Sequence, residues 1–170
     1  MLYFAYGSNM SSHRLLARVP SARSVTIARL PGHRLRFHKK SVDGSAKCDI
    51  EQTGNESDVV HGVVFNIAPE EKPELDRHEG LGQGYEEKRV SIYIDDGNSL
   101  SALTFYATRI EPTLKPYVWY REHVLRGARE HGLPDYYIKS IAGIEAIPDP
   151  DTHRHRKELT VYPDSCVESG

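Results

Sequence analysis

The sequence has few cysteines, no long apolar run and no surplus of charge of either sign. Its two cysteines, Cys48 and Cys166, show no metal or redox spacing in their polar, loop-like surroundings. We therefore expect free thiols in a reducing cytoplasm. The short apolar runs predict no membrane span, and the N-terminus lacks the features of a secretory signal. A net charge of -2 leaves no excess of Lys and Arg to neutralise phosphates, so we expect no nucleic-acid partner.

The 170 residues, of which 38% are hydrophobic, are enough for one domain with a core. Strands are predicted at residues 2–6, 25–30, 35–37 and 59–67, and in the alternating segments 90–94 and 103–107. Helices are predicted at residues 11–18 and 69–79, from Pro116, and up to about residue 145. Hairpin signals such as Asp96-Gly97 outnumber helical crossovers. This pattern predicts an α+β fold with a curved, mostly antiparallel sheet or small barrel and helices packed outside.

Two segments have the composition of irregular structure. Residues 41–57 are rich in Ser, Asp, Gly and Asn, which predicts a loop. Residues 148–170 are polar and rich in proline and charge, which predicts an irregular C-terminal tail. We therefore divide the chain into a domain at residues 1–147 and a tail at residues 148–170.

The first strand stops abruptly at small residues and is followed by a helix-like segment. The run is Tyr3-Phe4-Ala5-Tyr6-Gly7-Ser8-Asn9-Met10. Ser11 and Ser12 are candidate caps for that helix. Such a junction directs backbone N–H groups and the positive end of a helix dipole at one point, which suits a carboxylate or a phosphate. The alternative is that a buried strand simply needs small residues in order to turn.

Glu79 lies in the last turn of a predicted helix, where the helix dipole disfavours a carboxylate. The dipole and any burial would raise its pKa, which suits a group that both accepts and donates protons near neutral pH. The alternative is a solvated glutamate beside Arg77 or His78.

Other candidate motifs are weak. The glycine-rich residues 80–84 follow a helix and lack the spacing of a dinucleotide loop. Ser8 is not in a nucleophile elbow, because Met10 stands where the second glycine would be. His153 and His155 have no carboxylate or cysteine partners in the tail, so no metal site is expected.

Three motifs together resemble the gamma-glutamylcyclotransferase family. Residues 3–10 resemble its Tyr-Gly-Ser-Asn signature, and residues 75–80, Leu-Asp-Arg-His-Glu-Gly, resemble the segment that carries its catalytic glutamate. Residues 127–134, Gly-Ala-Arg-Glu-His-Gly-Leu-Pro, resemble its third segment. Met10 stands where leucine is frequent in the family.

The resemblance implies a small mixed, mostly antiparallel β-barrel with peripheral helices. It also implies that Glu79 is the general acid/base and that the γ-glutamyl head group binds at Tyr3, Phe4, Ala5, Tyr6, Gly7, Ser8 and Asn9. Tyr120, which otherwise belongs to an apolar helix face, is implied to contact substrate.

The implied reaction is attack of the substrate's α-amino group on its own side-chain carbonyl, which gives 5-oxoproline and a free amine or amino acid. It needs no metal, nucleotide or other cofactor. We expect a cytoplasmic monomer or homodimer whose partner is a small γ-glutamyl molecule. Three alternatives remain: an enzyme for γ-glutamyl amines or an acylated secondary metabolite, a non-catalytic binder of a glutamate-like ligand, and an interaction module.

Overall fold

The computed structural model describes residues 1–163. In this range the strands are β1 (Leu2–Ala5), β2 (Arg23–Pro31), β3 (His33–Lys40), β4 (Ala46–Gln52), β5 (Val59–Asn66), β6 (Tyr85–Tyr93) and β7 (Ser99–Ala107). The helices are α1 (Ser12–Leu16), α2 (Lys72–Glu79), α3 (Val118–Glu130), α4 (Asp135–Ala142) and α5 (Thr152–Leu159). Short 3-10 turns occupy Ser8–Met10 and Pro69–Glu71.

Five strands close a barrel in the order β1, β5, β2, β6, β7. Neighbouring strands pair antiparallel except β1 and β7, which meet in parallel with Tyr3 opposite Leu103. Strand β5 lies between β1 and β2, and its successive residues Val63, Val64 and Phe65 are all buried, so both of its faces are covered there. Strands β3 and β4 form a separate two-stranded sheet. The predicted α+β class and the small, mostly antiparallel barrel are confirmed.

Strand β4 shows that the loop prediction for residues 41–57 is wrong at Ala46–Gln52. Ala46, Cys48 and Ile50 are buried at a spacing of two residues, which is the strand period. Asp49 is buried between them because its carboxylate accepts hydrogen bonds from His38 (2.8 Å) and from the Ala107 N–H (2.7 Å). A satisfied buried aspartate makes a core strand look polar in the sequence. Cys48 is a free thiol, but its predicted loop-like surroundings are wrong.

The helices follow the sequence signals closely. Helix α2 ends at Gly80, whose φ of 72° is the left-handed conformation that favours glycine. On α3, the predicted apolar stripe of Tyr120, Val124 and Ala128 is buried. No helix among residues 1–163 combines the length and apolarity needed to cross a membrane.

The segment after Pro148 is not irregular throughout, because residues 152–159 form helix α5. Asp149 is buried and accepts hydrogen bonds from Trp119 Nε1 (2.7 Å) and Arg154 Nε (2.7 Å). Glu158 of α5 pairs with Arg14 of α1 at 2.5 Å. These contacts fasten the segment to the domain. The boundary at residue 147 stays a prediction, and Cys166 lies outside the described residues.

The backbone of α3 lies directly against the turn after β1. A Cβ atom built on Gly127 would be 2.5 Å from the carbonyl carbon of Met10 and 2.5 Å from the nitrogen of Ser11. Real Cβ atoms do not approach backbone this closely, so only glycine permits the contact. The contact holds the 3-10 turn between the barrel and α3.

We predict that Gly127→Ala lowers the free energy of unfolding by about 3 kcal/mol, because α3 must separate from the turn. Gly143→Ala is the matched control, since Gly143 has a φ of -76° and its added Cβ would meet nothing closer than 3.4 Å. The control should change stability by less than about 0.5 kcal/mol. Urea denaturation followed by circular dichroism measures both, and equal stabilities would contradict the prediction.

Candidate active site

The turn after β1 presents polar groups at the end of the barrel. The Met10 N–H donates to Gly7 O (3.0 Å) and the Ser11 N–H to Ser8 O (3.3 Å). Gly7, Ser8 and Asn9 come before these two donors in the chain. Their N–H groups lie at the start of the turn, where the first N–H groups have no partner within the turn itself. Ser11 caps α1, as predicted, because its hydroxyl accepts from the Arg14 N–H at 3.5 Å.

Glu79, the last residue of α2, reaches this turn from a distant part of the chain. Its Oε1 atom accepts a hydrogen bond from the Tyr3 hydroxyl at 2.9 Å and another from Asn9 Nδ2. Tyr3 and Asn9 are also in contact, with Asn9 Nδ2 3.3 Å from the Tyr3 oxygen. The structure therefore brings together the two motifs that the sequence singled out, although 70 residues separate Asn9 from Glu79.

Burial raises the pKa of Glu79 above its ordinary value, and this is the largest influence on it. The Arg18 cation and the Tyr3 hydrogen bond oppose the rise. Burial, followed by the negative charge of Glu79, raises the pKa of Tyr3 well above its usual range, so Tyr3 remains a neutral donor. The surroundings of Glu79 thus stabilise its protonated form more than solvent would.

Arg18 was not singled out from the sequence, yet it supports Asn9, one of the two hydrogen-bond partners of Glu79. Its NH1 group donates to Asn9 Oδ1 at 3.2 Å, which fixes the amide with its nitrogen toward Glu79. Burial and then the neighbouring Arg14 cation lower the pKa of Arg18 to about 10, so it is still charged at neutral pH. Nothing in the local sequence signals this role, because it depends on the tertiary contact.

The alternative of a solvated Glu79 beside Arg77 is not what the structure shows. Arg77 is exposed and pairs with Glu74 at 2.6 Å, three residues earlier on α2. His78 faces the same Glu74 at 4.0 Å. Glu79 turns inward instead, toward β1.

One pocket contains Glu79 and most of the predicted binding residues. It is lined by Tyr3, Tyr6, Gly7, Ser8, Asn9, Cys48, Glu79, Tyr85, Phe105 and Tyr120. Phe4 and Ala5 are fully buried in the core and do not line it. Within the described residues the Ser8 hydroxyl has no hydrogen bond to a histidine or a carboxylate, so the geometry does not activate it as a nucleophile.

Tyrosines and the backbone of β4 form the pocket wall next to the turn. The Cys48 N–H donates to the Tyr120 hydroxyl at 3.0 Å, and the Tyr85 hydroxyl donates to Cys48 O. The Tyr6 hydroxyl donates to Phe105 O at 2.6 Å. Cys48, Tyr85 and Phe105 were missed as pocket residues. The alternation of Ala46, Cys48 and Ile50 was the signal that could have placed Cys48.

The sequence is similar to a family model and to several known proteins. Residues 59–141 match the model of the AIG2-like family. A gamma-glutamylcyclotransferase from Bos taurus is 32% identical over 151 residues, which cover 85% of this chain and 78% of the relative. The gamma-glutamylcyclotransferase from Homo sapiens is 30% identical over 165 residues, which cover 93% of this chain and 85% of the relative.

The fold agrees with the sequence comparison. A solved structure described as a gamma-glutamyl cyclotransferase superposes with a TM-score of 0.79 at 30% identity, covering 86% of this chain and 89% of the other. The barrel, the order of the motifs and these relatives lead to one conclusion. This chain belongs to the gamma-glutamylcyclotransferase family.

Proposed function

We propose that this protein cyclises a γ-glutamyl amino acid or γ-glutamyl amine to 5-oxoproline and releases the free amino acid or amine. The observation that carries the proposal is the hydrogen-bonded group of Tyr3, Asn9 and Glu79 in a single pocket beside the turn. Membership of the family supports the same reaction. The nucleophile and the carbonyl belong to one molecule, so positioning is a large part of the catalysis.

In this proposal the turn binds the γ-glutamyl head group. Gly7, Ser8 and Asn9 line the pocket, and their backbone N–H groups would bind the substrate carboxylate or the oxyanion that forms on the attacked carbonyl. Tyr6 and Tyr120 supply the walls that hold the glutamyl chain in a folded shape. Phe4 and Ala5 act from the core by supporting the strand that carries these groups.

Glu79 is the single proton carrier of the proposed reaction. The α-nitrogen enters as an ammonium group and leaves as a ring N–H, so it loses two protons. The leaving nitrogen enters as an amide N–H and leaves as an ammonium group, so it gains two. Glu79 accepts protons from the first nitrogen and returns them to the second, and the net reaction neither consumes nor releases a proton.

The neighbours of Glu79 suit this role. Tyr3 and Asn9 donate hydrogen bonds to the ionised carboxylate, while burial stabilises the protonated acid. The opposing effects keep both forms accessible. Arg18 biases the balance toward the carboxylate, which is the form that must accept the first proton.

The decisive experiment measures 5-oxoproline after incubation with γ-glutamyl amino acids, γ-glutamyl amines and glutathione. Cyclisation of at least one compound supports the proposal. Binding of a glutamate-like ligand without turnover would instead favour the non-catalytic binder. Neither binding nor turnover would favour the interaction module.

We predict that Glu79→Gln lowers kcat/KM by about 1,000-fold or more, because the amide cannot carry the proton. Its melting temperature should be equal or higher, since a buried carboxylate is costly and the amide is not charged. Glu74→Gln, on the exposed face of the same helix, is the control and should keep full activity. An active Glu79→Gln protein would refute the mechanism.

We predict that Arg18→Met moves the acidic limb of the kcat/KM profile to higher pH. Loss of the cation removes an influence that lowers the pKa of Glu79, so more of the acid stays protonated at a given pH. The comparison is Arg77→Met, which removes an exposed cation two residues from Glu79 in the sequence. The acidic limb of the Arg77→Met profile should stay at the pH found for the unmodified protein. An equal shift of the limb in both variants would argue against a specific effect of Arg18.

A further inference from the structure

Lys39 is a buried lysine beside the proposed active site. It lies near the end of β3 and is only 8% exposed. Its Nζ atom lies 4.8 Å from the centre of the Tyr85 ring, whose side chain lines the pocket. The ring face attracts the cation, which places the ammonium group over the ring of this pocket residue.

The lysine is held against the segment that joins Glu79 to Tyr85. A Cβ atom on Gly84 would lie 2.9 Å from Lys39 Cε and 3.2 Å from Nζ, so the glycine backbone packs on the end of the side chain. Gly84 has a φ of 120°, a conformation that side chains rarely adopt. The ammonium group is therefore confined close to the connection that begins at the proposed acid/base.

This cation has no ionic partner within the part of the chain that the structure describes. No carboxylate lies within 4.0 Å of Lys39 or of its exposed neighbour Arg109, whose side chain also borders Gly84. Burial lowers the pKa of Lys39, the negative charges of Asp43 and then Glu79 oppose this effect, and the Arg109 cation adds a smaller lowering. Two adjacent cations, one of them buried, form a favourable place for an anion.

We propose that Lys39 binds the carboxylate of the leaving amino acid and so selects γ-glutamyl amino acids over γ-glutamyl amines. This inference rests on the proposed function. The scissile bond must lie at Glu79, and the head group extends from there toward the turn. The leaving group extends the other way. Arg18 is already bonded to Asn9 on the turn side, which leaves Lys39, assisted by Arg109, for the leaving group.

The test compares γ-glutamyl-L-alanine with γ-glutamylethylamine, two substrates that differ only by the leaving-group carboxylate. Lys39→Met should lower kcat/KM for γ-glutamyl-L-alanine by about 10- to 100-fold, the usual range for one charge-assisted hydrogen bond, mainly through KM. In the same variant, kcat/KM for γ-glutamylethylamine should change by less than about twofold. Lys40→Met is the control, because Lys40 is the exposed next residue and its loss changes the net charge equally.

Several outcomes of this experiment would contradict the proposed role of Lys39. If the ratio of the kcat/KM values for the two substrates is unchanged in Lys39→Met, the inference is overturned, whether both values fall together or neither changes. An equal change of the ratio in Lys40→Met would also overturn it, because the effect would then come from net charge. If the unmodified protein forms 5-oxoproline from none of the γ-glutamyl compounds, the proposed function fails and the inference fails with it; if it acts on some of them but on neither of these two substrates, the inference alone is overturned. Turnover with no effect of Lys39→Met refutes the inference alone.

Discussion

The contact between Gly127 and the backbone of Met10 and Ser11 determines where the polar turn lies. Helix α3 can approach the turn only because position 127 has no Cβ. The turn is thereby held between α3 and the barrel, and Asn9 is presented toward Glu79. A larger residue would move the helix, and with it Tyr120 on the same helix, away from the pocket. The absence of a Cβ at Gly127 thus determines the positions of both the turn and Tyr120 in the site.

Glu79 shows how the fold gives a carboxylate an unusual environment at the cost of stability. Burial disfavours its charge, while Tyr3, Asn9 and the nearby Arg18 favour it. A structural carboxylate would be more stable in solvent or in a close ion pair. Among residues 1–163 Glu79 has no ion-pair partner within 4.0 Å, and confinement with two hydrogen-bond donors is typical of groups that change protonation during a reaction. Arg18, which follows α1, and Lys39, on β3, are two nearby cations that both lower the pKa of Glu79.

Much of the fold could be predicted because its signals are local. The apolar run of β5, the hairpin at Asp96-Gly97 and the end of α2 at Gly80 are each set by neighbouring residues. Strand β4 and helix α5 were not predicted, since each contains polar residues whose partners lie elsewhere in the fold, although the alternation of Ala46, Cys48 and Ile50 was a signal for β4. Asp49 is satisfied by His38 and Ala107, and Glu158 by Arg14. Composition cannot distinguish such residues from solvated ones.

By itself the sequence determined the candidate acid/base, the turn and the order of the motifs, because each is written in consecutive residues. Only the tertiary structure decided that Tyr3, Asn9 and Glu79 share hydrogen bonds, and that Phe4 and Ala5 face the core. It also decided that Arg18 supports Asn9 and that Lys39 lies over Tyr85 without an acidic partner in residues 1–163. Apart from the contact of Arg18 with Asn9, these contacts join segments far apart in the chain, and the packing of the helices and of the second sheet against the barrel brings those segments together.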